Sequence, residues 1–334
     1  MKAAYLKSNS GAGSLTVGDI PAPKPAAGEV LVKVYSTAVM PTELRWEPTF
    51  NQPDGKARAF PIVLSHEFSG VIASLGPNVA GLSVGDEVYG LNDWYTNGAQ
   101  AEFCVVSTAA IARKPKSLNF AEAAIVPISA LTAWQALIER GQLERGQRVL
   151  IHGGSGGVGT FAVQLARWRG AYVIATASAD NLDFVRALGA DQVIDYRKTR
   201  FEDVICDVDL VLDGVGGETL QRSWSVLKPG GKLNTIVGNG ESADQKNRDA
   251  FFIVRADGSQ LARLGEMIDA GQLRVFLEAV YPLDAARDAY ARAQQGGMRG
   301  KIALTVFADP DDRTNIEDES FARRPTERRT APPQ

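Results

Sequence analysis

Residues 147–159, QRVLIHGGSGGVG, join an apolar strand-like run to a glycine-rich turn that leads into an amphipathic segment. Gly154, Gly156 and Gly159 have the spacing G-x-G-x-x-G, and a strand before this pattern with a helix after it is the context that a dinucleotide-binding turn requires. Gly154 would permit the tight turn, Gly156 would let the backbone approach a pyrophosphate, and Gly159 would let the helix pack against the strand. Free N–H groups at the helix start would bind the phosphates. We therefore predict a dinucleotide site rather than an ordinary strand–helix turn.

Outward from this turn, apolar runs of strand length alternate with amphipathic runs of helix length. The predicted strands are 148–152, 172–176, 192–195, 209–213 and 232–237, and the predicted helices between them are 158–169, 181–188 and 218–227. Helix-like patterns also precede the turn, at 120–126 and 131–140. Alternation at this spacing is typical of a parallel, doubly wound α/β sheet with helices on both faces.

The two ends of the chain differ from this middle part. The first 110 residues are rich in short strand-like runs separated by turn signals, and the polar stretch 45–60 is expected to be a loop. After residue 260 the patterns indicate a helix, a strand, a helix and a strand, at 260–270, 274–281, 283–295 and 301–306. Residues 308–334 are charged and almost without large apolar groups, a composition that predicts a disordered tail.

Composition excludes several classes of protein. With 36 Lys and Arg against 39 Asp and Glu, the net charge is −3, and a basic face for nucleic acid is not expected. The chain has only 2 Cys and 2 His, too few for a four-cysteine zinc site. Nothing links Cys104 to Cys206, which favours a reducing, cytoplasmic setting. No run approaches the roughly 20 apolar residues of a membrane span, and the first residues lack the apolar run of a signal peptide.

The choice of dinucleotide depends on the charge at the end of the second predicted strand. NAD sites usually place an Asp or Glu there to bind the ribose 2′-hydroxyl. Here the strand ends in Thr176 and Ser178, which leave room and hydroxyl donors for a 2′-phosphate. We interpret the nearby Asp180 as the N-cap of the next helix, and Arg197 and Lys198 as candidates for the cationic partner of the phosphate. We therefore expect NADPH rather than NADH.

Several motifs in series identify a family. They are HEFSGVI (66–72), VGDEVYG (84–90), ALTAW (130–134), HGGSGGVG (152–159), LGAD (188–191), VLDGVGG (211–217), LKPGGKL (227–233) and GKIAL (300–304). With them the chain resembles the medium-chain dehydrogenase/reductase superfamily, and within it the zinc-free quinone oxidoreductase branch, over about residues 1–307. The resemblance implies a Rossmann doubly wound parallel sheet at 123–260, inserted into a β-rich GroES-like catalytic domain formed by 1–122 and 261–307, with a ligand cleft between the two. It also implies a homodimer that pairs through an edge strand near 250–254.

Residues of the first domain favour the zinc-free branch. Zinc-dependent members of the family place a Cys where Met40 stands here, and His66 lies in Ser-His-Glu instead of Gly-His-Glu. A thioether and one His do not make a catalytic zinc site, which needs three good protein ligands, so no metal is expected. Without this Lewis acid, the resemblance implies hydride transfer to a small molecule that is already activated by conjugation. The expected function is an NADPH-dependent reductase of quinones or activated C=C bonds. The alternatives are an alcohol dehydrogenase with atypical metal ligands and a non-catalytic cofactor-binding protein.

The resemblance also implies a set of site residues. Relatives often have Asn at the position of Met40, and because Met cannot donate a hydrogen bond, Thr42 is the expected donor to a substrate oxygen unless it only stabilises a turn. His66 is expected to be a hydrogen-bonded structural residue or part of the cleft lining, and His152 to be structural. Aromatic residues expected to line the substrate pocket, or to pack the small domain, are Trp46, Phe50, Trp94 and Tyr95. The expected cofactor contacts are Ser129, Thr132, Gly154, Ser155, Gly156, Gly157, Val158, Thr176, Ser178, Tyr196, Val215, Val237, Phe252, Val254 and Lys301, the last alternatively a solvated residue at a strand end.

Overall fold

The computed structural model of the chain describes residues 1–238 and 244–309. The tail expected at 308–334 therefore lies, from residue 310 onward, outside the described residues. Within the described ranges, no helix combines the length and the apolar character needed to cross a lipid bilayer.

Short strands form the first part of the chain, as its alternation of apolar and polar residues predicts. They are β1 (Lys2–Leu6), β2 (Leu15–Asp19), β3 (Glu29–Ala38), β4 (Ile62–Val63), β5 (Glu67–Leu75), β6 (Glu87–Leu91), β7 (Phe103–Ser107) and β8 (Ile111–Arg113). The longest, β3, pairs antiparallel with β5 and with β7. Alternate residues Val30, Val32 and Val34 are fully buried, so this face of β3 supplies the core of the unit.

The prediction of a loop at 45–60 is wrong at its start. A 3₁₀ turn (Pro41–Arg45) is followed by a short helix, α1 (Glu47–Phe50). Each has a Pro in one of its first two positions. There the fixed φ of Pro favours a helical turn and its missing N–H costs nothing.

Two helices lead from the first unit into the second. A capping box between Asn119 and Glu122 begins α2 (Phe120–Ala124). The next helix, α3 (Pro127–Trp134), continues as a π-helical turn (Gln135–Arg140). The second predicted helix therefore begins four residues earlier than its sequence pattern indicates and is not α-helical throughout.

The middle of the chain forms the predicted α/β sheet, which confirms the fold class. Its strands are β9 (Arg148–Ile151), β10 (Tyr172–Ala177), β11 (Gln192–Asp195), β12 (Val208–Asp213) and β13 (Leu227–Thr235), and its helices are α4 (Gly157–Arg169), α5 (Leu182–Ala187) and α6 (Gly217–Ser223). The strands run parallel in the order β11-β10-β9-β12-β13. Strand order therefore reverses beside β9, and the crevice at the carboxyl end of such a strand is where open α/β sheets bind ligands.

The fifth strand begins earlier than predicted. Leu227 already pairs with Val208, and the next pair joins Lys232 to Leu210, so residues 228–231 bulge out opposite a single residue of β12. The sequence Lys-Pro-Gly-Gly of this bulge predicts a turn. The strand is therefore predicted to begin only after it, and the paired residue before the bulge, Leu227, is missed. The helix before β13 is correspondingly shorter than predicted.

After the sheet the chain returns to the first unit. The remaining elements are α7 (Gln245–Ala250), α8 (Gly258–Asp269), β14 (Leu277–Pro282), α9 (Ala286–Gln294) and β15 (Lys301–Thr305). β15 pairs antiparallel with β3, where Ala303 faces Ala38. Both domain boundaries expected from the sequence fall inside helices, α2 and α8. The edge strand expected at 250–254 is reduced to one isolated bridge between Thr235 and Phe251.

Candidate active site

The glycine-rich turn lies between the carboxyl end of β9 and the start of α4. The residue with positive φ is Gly153, at +76°, so the prediction that Gly154 supplies the tight turn is wrong. A Cβ at Gly154 would instead lie 3.1 Å from side-chain atoms of Ala175 and of Val185, so this glycine permits close packing against β10. A Cβ at Gly159 would overlap the Gly153 carbonyl group, in keeping with the close helix–strand contact expected there.

Gly156 leaves the backbone open at the start of α4. It is the N-cap residue and supplies no side-chain cap to the 13-residue helix. A Cβ at this position would have no neighbour nearer than the Gly153 carbonyl oxygen, at 3.5 Å. Uncapped helix N–H groups and the positive end of the helix dipole bind phosphates. The turn therefore fits the pyrophosphate of a dinucleotide.

Ser129 and Lys301 border this turn from two other elements. A Cβ at Gly157 would lie 2.9 Å from Ser129 Oγ and 3.5 Å from Lys301 Cδ. Thr132 is oriented differently, because its hydroxyl donates to the Ile128 carbonyl within α3, at 2.6 Å. The cofactor contact predicted for Thr132 therefore has no free hydroxyl to make it, because that hydroxyl is already engaged within the helix.

The end of β10 only partly matches the expected ribose site. Thr176 is buried, and its hydroxyl accepts from the Gly153 N–H at 3.3 Å and lies 3.2 Å from His152 Nδ1. The prediction that Thr176 offers a donor to a 2′-phosphate is therefore wrong, since its hydroxyl faces the fold. The Ser178 hydroxyl makes no hydrogen bond within the described ranges. Tyr196, 56% exposed, is bonded through its N–H to the neighbouring carbonyl of β10.

Asp180 does not cap a helix. It lies inside a 3₁₀ turn (Ala179–Asn181) that has no side-chain cap. The N-cap of α5 is Asn181, whose side chain makes no cap either. Asn181 Nδ2 instead donates to Ser155 Oγ at 3.1 Å, and this bond connects the end of β10 to the glycine-rich turn.

His152 is buried beside Thr176, near the end of β10. Its Nε2 lies 3.0 Å from Ser223 Oγ, and its ring packs edge-on against Phe201. Burial lowers the pKa of His152 to about 4, while the charge of Asp213 opposes this shift. The ring is therefore neutral at pH 7 and fixes the Thr176 hydroxyl.

The apolar residues expected at the cofactor divide into two groups. Val215 and Val237 follow β12 and β13 at the carboxyl edge of the sheet, and Val215 is 52% exposed. Phe252 and Val254 are buried in the main core, against which Val158 is partly buried.

Lys301 is not a solvated residue. Its ammonium group pairs with Glu67 at the start of β5, and Glu67 is fully buried. The other oxygen of Glu67 accepts from the Ile128 N–H at 2.8 Å, at the start of α3. Burial raises the pKa of Glu67, and Lys301 opposes that rise. The pair thus joins β5, β15 and α3 beside the glycine-rich turn.

Met40 and Thr42 lie where the 3₁₀ turn after β3 begins. Met40 is its N-cap residue and packs, half-buried, against the main core. Thr42 is exposed, and its hydroxyl makes no hydrogen bond in the described part of the chain. Thr42 therefore has no role in stabilising the turn through its hydroxyl, which is free to donate to a ligand.

Both ring nitrogens of His66 face acceptor oxygens. Nδ1 lies 3.0 Å from Glu43 Oε1, and Nε2 lies 3.2 Å from the Thr96 carbonyl oxygen. Glu43 also accepts from the Ser65 N–H at 2.6 Å. Arg58 donates to the same Thr96 carbonyl, and burial lowers the pKa of Arg58 while Glu43 opposes this. Glu43 therefore stands on the Nδ1 side of the His66 ring and the Thr96 carbonyl on its Nε2 side. Among residues 1–238 and 244–309, no three His, Cys, Asp or Glu side chains are grouped to hold a metal ion.

Two tryptophans form what we call the aromatic wall, Trp46 and Trp94. Their rings meet edge-on with centroids 4.6 Å apart, and Trp94 also packs against His66 at 5.0 Å. The Trp94 Nε1–H donates to the Val254 carbonyl at 3.1 Å, which joins the loop after β6 to the segment after α7. Phe50 packs instead in a separate core under β1 and β15, and Tyr95 makes no ring contact with the described residues.

Known proteins resemble this chain over most of its length. Residues 26–118 match the model described as alcohol dehydrogenase GroES-like domain, and 188–304 match zinc-binding dehydrogenase. The Danio rerio protein "NAD(P)H oxidoreductase RTN4IP1, mitochondrial" is 34% identical over 331 residues, covering 84% of each chain. The Arabidopsis thaliana "NADPH-dependent alkenal/one oxidoreductase, chloroplastic" is 31% identical over 297 residues, covering 86% of this chain and 74% of that one. The solved quinone oxidoreductase from Coxiella burnetii matches with a TM-score of 0.84 and 29% identity, over 92% of this chain and 99% of its own.

The chain belongs to the medium-chain dehydrogenase/reductase superfamily. Its likeness to the quinone oxidoreductases and its GroES-like unit are confirmed. It is an oxidoreductase that uses a nicotinamide cofactor and acts on a small-molecule substrate.

Sequence reasoning misses four polar residues of this dehydrogenase/reductase site. Glu43 and Glu67 could have been found from the sequence, because each is a carboxylate next to strongly apolar residues and therefore needs a buried partner. Arg58 and Asn181 could not, since both stand in polar stretches that resemble solvent-exposed loops.

Proposed function

We propose that the chain is an NADPH-dependent reductase of quinones or of activated C=C bonds in enones, and that it transfers hydride without zinc. The observation that carries this proposal is the replacement of a metal-binding side chain: Met40 stands where zinc-dependent members have a Cys. The two ring nitrogens of His66 face Glu43 Oε1 and the Thr96 carbonyl oxygen. With a thioether in place of a thiolate ligand, substrates that need no Lewis acid are favoured.

The residues of the cleft have separate tasks in this reaction. NADPH, when bound, supplies the hydride. N–H groups at the start of α4 bind its pyrophosphate, and the aromatic wall keeps water from the reacting face. The Thr42 hydroxyl donates to the substrate carbonyl oxygen, where negative charge develops. A proton from solvent completes the reduction.

Purified protein tests the proposal with p-benzoquinone and methyl vinyl ketone as acceptors. We expect NADPH oxidation with at least one of them, unchanged by a chelator, and no stoichiometric zinc by elemental analysis. Tight NADPH binding without turnover on a broad panel of quinones and enones would favour the non-catalytic alternative. Bound zinc together with chelator-sensitive alcohol oxidation would favour the alcohol dehydrogenase alternative.

The preference for NADPH is tested at Ser178, whose hydroxyl is unengaged. Ser178→Asp places a carboxylate beside the expected 2′-phosphate, so we expect NADPH to bind at least about tenfold more weakly and NADH to change little. Ser178→Asn is the uncharged control of similar size. An equal loss of affinity for both cofactors in the Asp variant would show that the phosphate site lies elsewhere.

Three other expectations remain proposals. They are the division into a catalytic unit (1–122 and 261–307) and a nucleotide unit (123–260), assembly as a homodimer, and residence in a reducing compartment such as the cytoplasm. Unpaired Cys104 and Cys206 support the last of these. Light scattering at several concentrations tests the dimer, and a monomer throughout would exclude it.

A further inference from the structure

A short segment of the returning chain is bonded to the glycine-rich turn. We call residues 296–300 the strap. The Gly300 N–H donates to the Ser155 carbonyl at 2.9 Å, and Gly300 forms a parallel bridge with Gly156. Gly300 has φ +87°, and a Cβ there would overlap the Phe276 carbonyl group. Only glycine fits, so the strap is fixed where the pyrophosphate is expected to bind.

Asn181 connects the strap to the end of β10. It is 2% exposed, and its Nδ2 donates to Ser155 Oγ at 3.1 Å and to the Gly297 carbonyl at 3.3 Å. Its Oδ1 accepts from Arg299 Nε at 2.9 Å. One buried amide therefore fixes the glycine-rich turn, the strap and an arginine relative to each other.

The guanidinium of Arg299 is held beside the turn that follows Ser178. Besides its bond to Asn181, it donates from Nη2 to the Asp180 carbonyl at 2.8 Å and stacks over the Phe184 ring at 5.3 Å. These partners are neutral, and no carboxylate within the described residues forms an ion pair with this guanidinium. Of the five N–H donors of an Arg side chain, three remain for another acceptor.

An unpaired, fixed guanidinium at this position has a specific meaning in a dinucleotide fold. The ribose 2′-group lies at the end of the second strand, which is β10 here. A planar guanidinium binds phosphate through two parallel hydrogen bonds. Because Arg299 is already ordered, little side-chain entropy is lost on binding.

The cations expected from the sequence are placed differently. Arg197 is exposed and lies over the Tyr196 ring at 5.7 Å, and its side chain makes no hydrogen bond in the described ranges. Lys198 is exposed as well. Neither is anchored as Arg299 is.

We propose that Arg299, presented by the strap, is the residue that recognises the 2′-phosphate of NADPH. This inference rests on the proposed function, since it requires NADPH as the cofactor. It assigns cofactor choice to a side chain from the C-terminal segment, which follows the nucleotide-binding sheet in sequence.

Calorimetric titration with adenosine 2′,5′-bisphosphate and with adenosine 5′-monophosphate tests the inference without turnover. In Arg299→Gln we expect roughly 10- to 100-fold weaker binding of the bisphosphate and less than about threefold change for the monophosphate. Arg299→Lys, which keeps the charge but not the fork, should lie between. Arg186→Gln on the exposed face of α5 is the matched control and should bind both ligands as the unchanged protein does. Melting curves identify any variant that fails to fold.

Unchanged bisphosphate affinity in Arg299→Gln, in a protein that otherwise prefers the bisphosphate, would overturn the inference alone. The same holds if Arg197→Gln causes the selective loss instead. If the unchanged protein binds the two nucleotides equally, the preference for NADPH fails, and the proposed function with it.

Discussion

Thr176 and Ser178 illustrate how orientation decides a residue's role. Both are small hydroxyl residues at the end of one strand, two positions apart. Side chains on alternate positions of a strand share a face only while the strand continues, and β10 ends between them. Thr176 consequently bonds to Gly153 and His152, while Ser178 keeps an unengaged hydroxyl.

The buried His152 makes the free energy of unfolding depend on pH. Its pKa is lowered to about 4 by burial, whereas the unfolded chain has an ordinary His pKa near about 6.5. As pH falls below the unfolded value, the unfolded state binds the proton first, so stability is lost down to the folded pKa. Between pH 7 and pH 5 we expect the unchanged protein to lose about 2 kcal/mol more than His152→Gln.

Urea unfolding at the two pH values measures this difference. Parallel pH dependence in the two proteins would contradict a neutral, buried His152. Because other carboxylates titrate in both proteins, only the difference between them is interpreted.

At the scale of elements, two glycines of the glycine-rich turn are required for different physical reasons. Gly159 is needed because α4 packs tightly against the turn, and this demand exists in the folded protein alone. Gly156 faces open space, so its lack of a side chain matters only when something approaches the helix start. The same motif therefore contains a packing glycine and a ligand-approach glycine.

Alanine substitutions distinguish these two glycines. Gly159→Ala should destabilise the protein by about 1–3 kcal/mol, because its Cβ overlaps the Gly153 carbonyl. Gly156→Ala should cost no more than about 1 kcal/mol, because Ala is a poorer N-cap residue than Gly, and should weaken NADPH binding roughly tenfold or more. Denaturant unfolding and fluorescence titration with NADPH provide the two measurements. Equal effects of both substitutions on stability would contradict the assignment.

At the scale of the whole molecule, one buried ion pair connects distant parts of the chain. Glu67 and Lys301 are 234 positions apart and meet beside the start of α3. Removing one partner of a buried pair leaves an uncompensated charge, whereas removing both does not. The pair therefore holds β15 in place next to the nucleotide site, together with the pairing of β15 to β3.

Lys301→Met should lower the free energy of unfolding by about 3–5 kcal/mol, because Glu67 is then buried without a counter-ion. The double variant Glu67→Gln/Lys301→Met should recover most of this loss, since Gln can still accept from the Ile128 N–H. Denaturant unfolding of both variants and the unchanged protein measures the effect. A single variant as stable as the unchanged protein would show that the pair is not needed for stability.

The sequence by itself determined the class of fold and the place of the glycine-rich turn, because periodic burial and glycine spacing are local properties of the chain. Through its resemblance to the family, it also indicated that Met40 stands where zinc-dependent members have a Cys. Tertiary structure alone decided that Glu43 and Arg58 surround His66, that Lys301 is buried, and that Arg299 and Asn181 lie against the glycine-rich turn. The contacts around His66 depend on how the turn after β3 packs against the start of β5. The partners of Lys301 and Arg299 are 234 and 118 positions away, so their meeting depends on how β15 and the strap return, which no local pattern specifies.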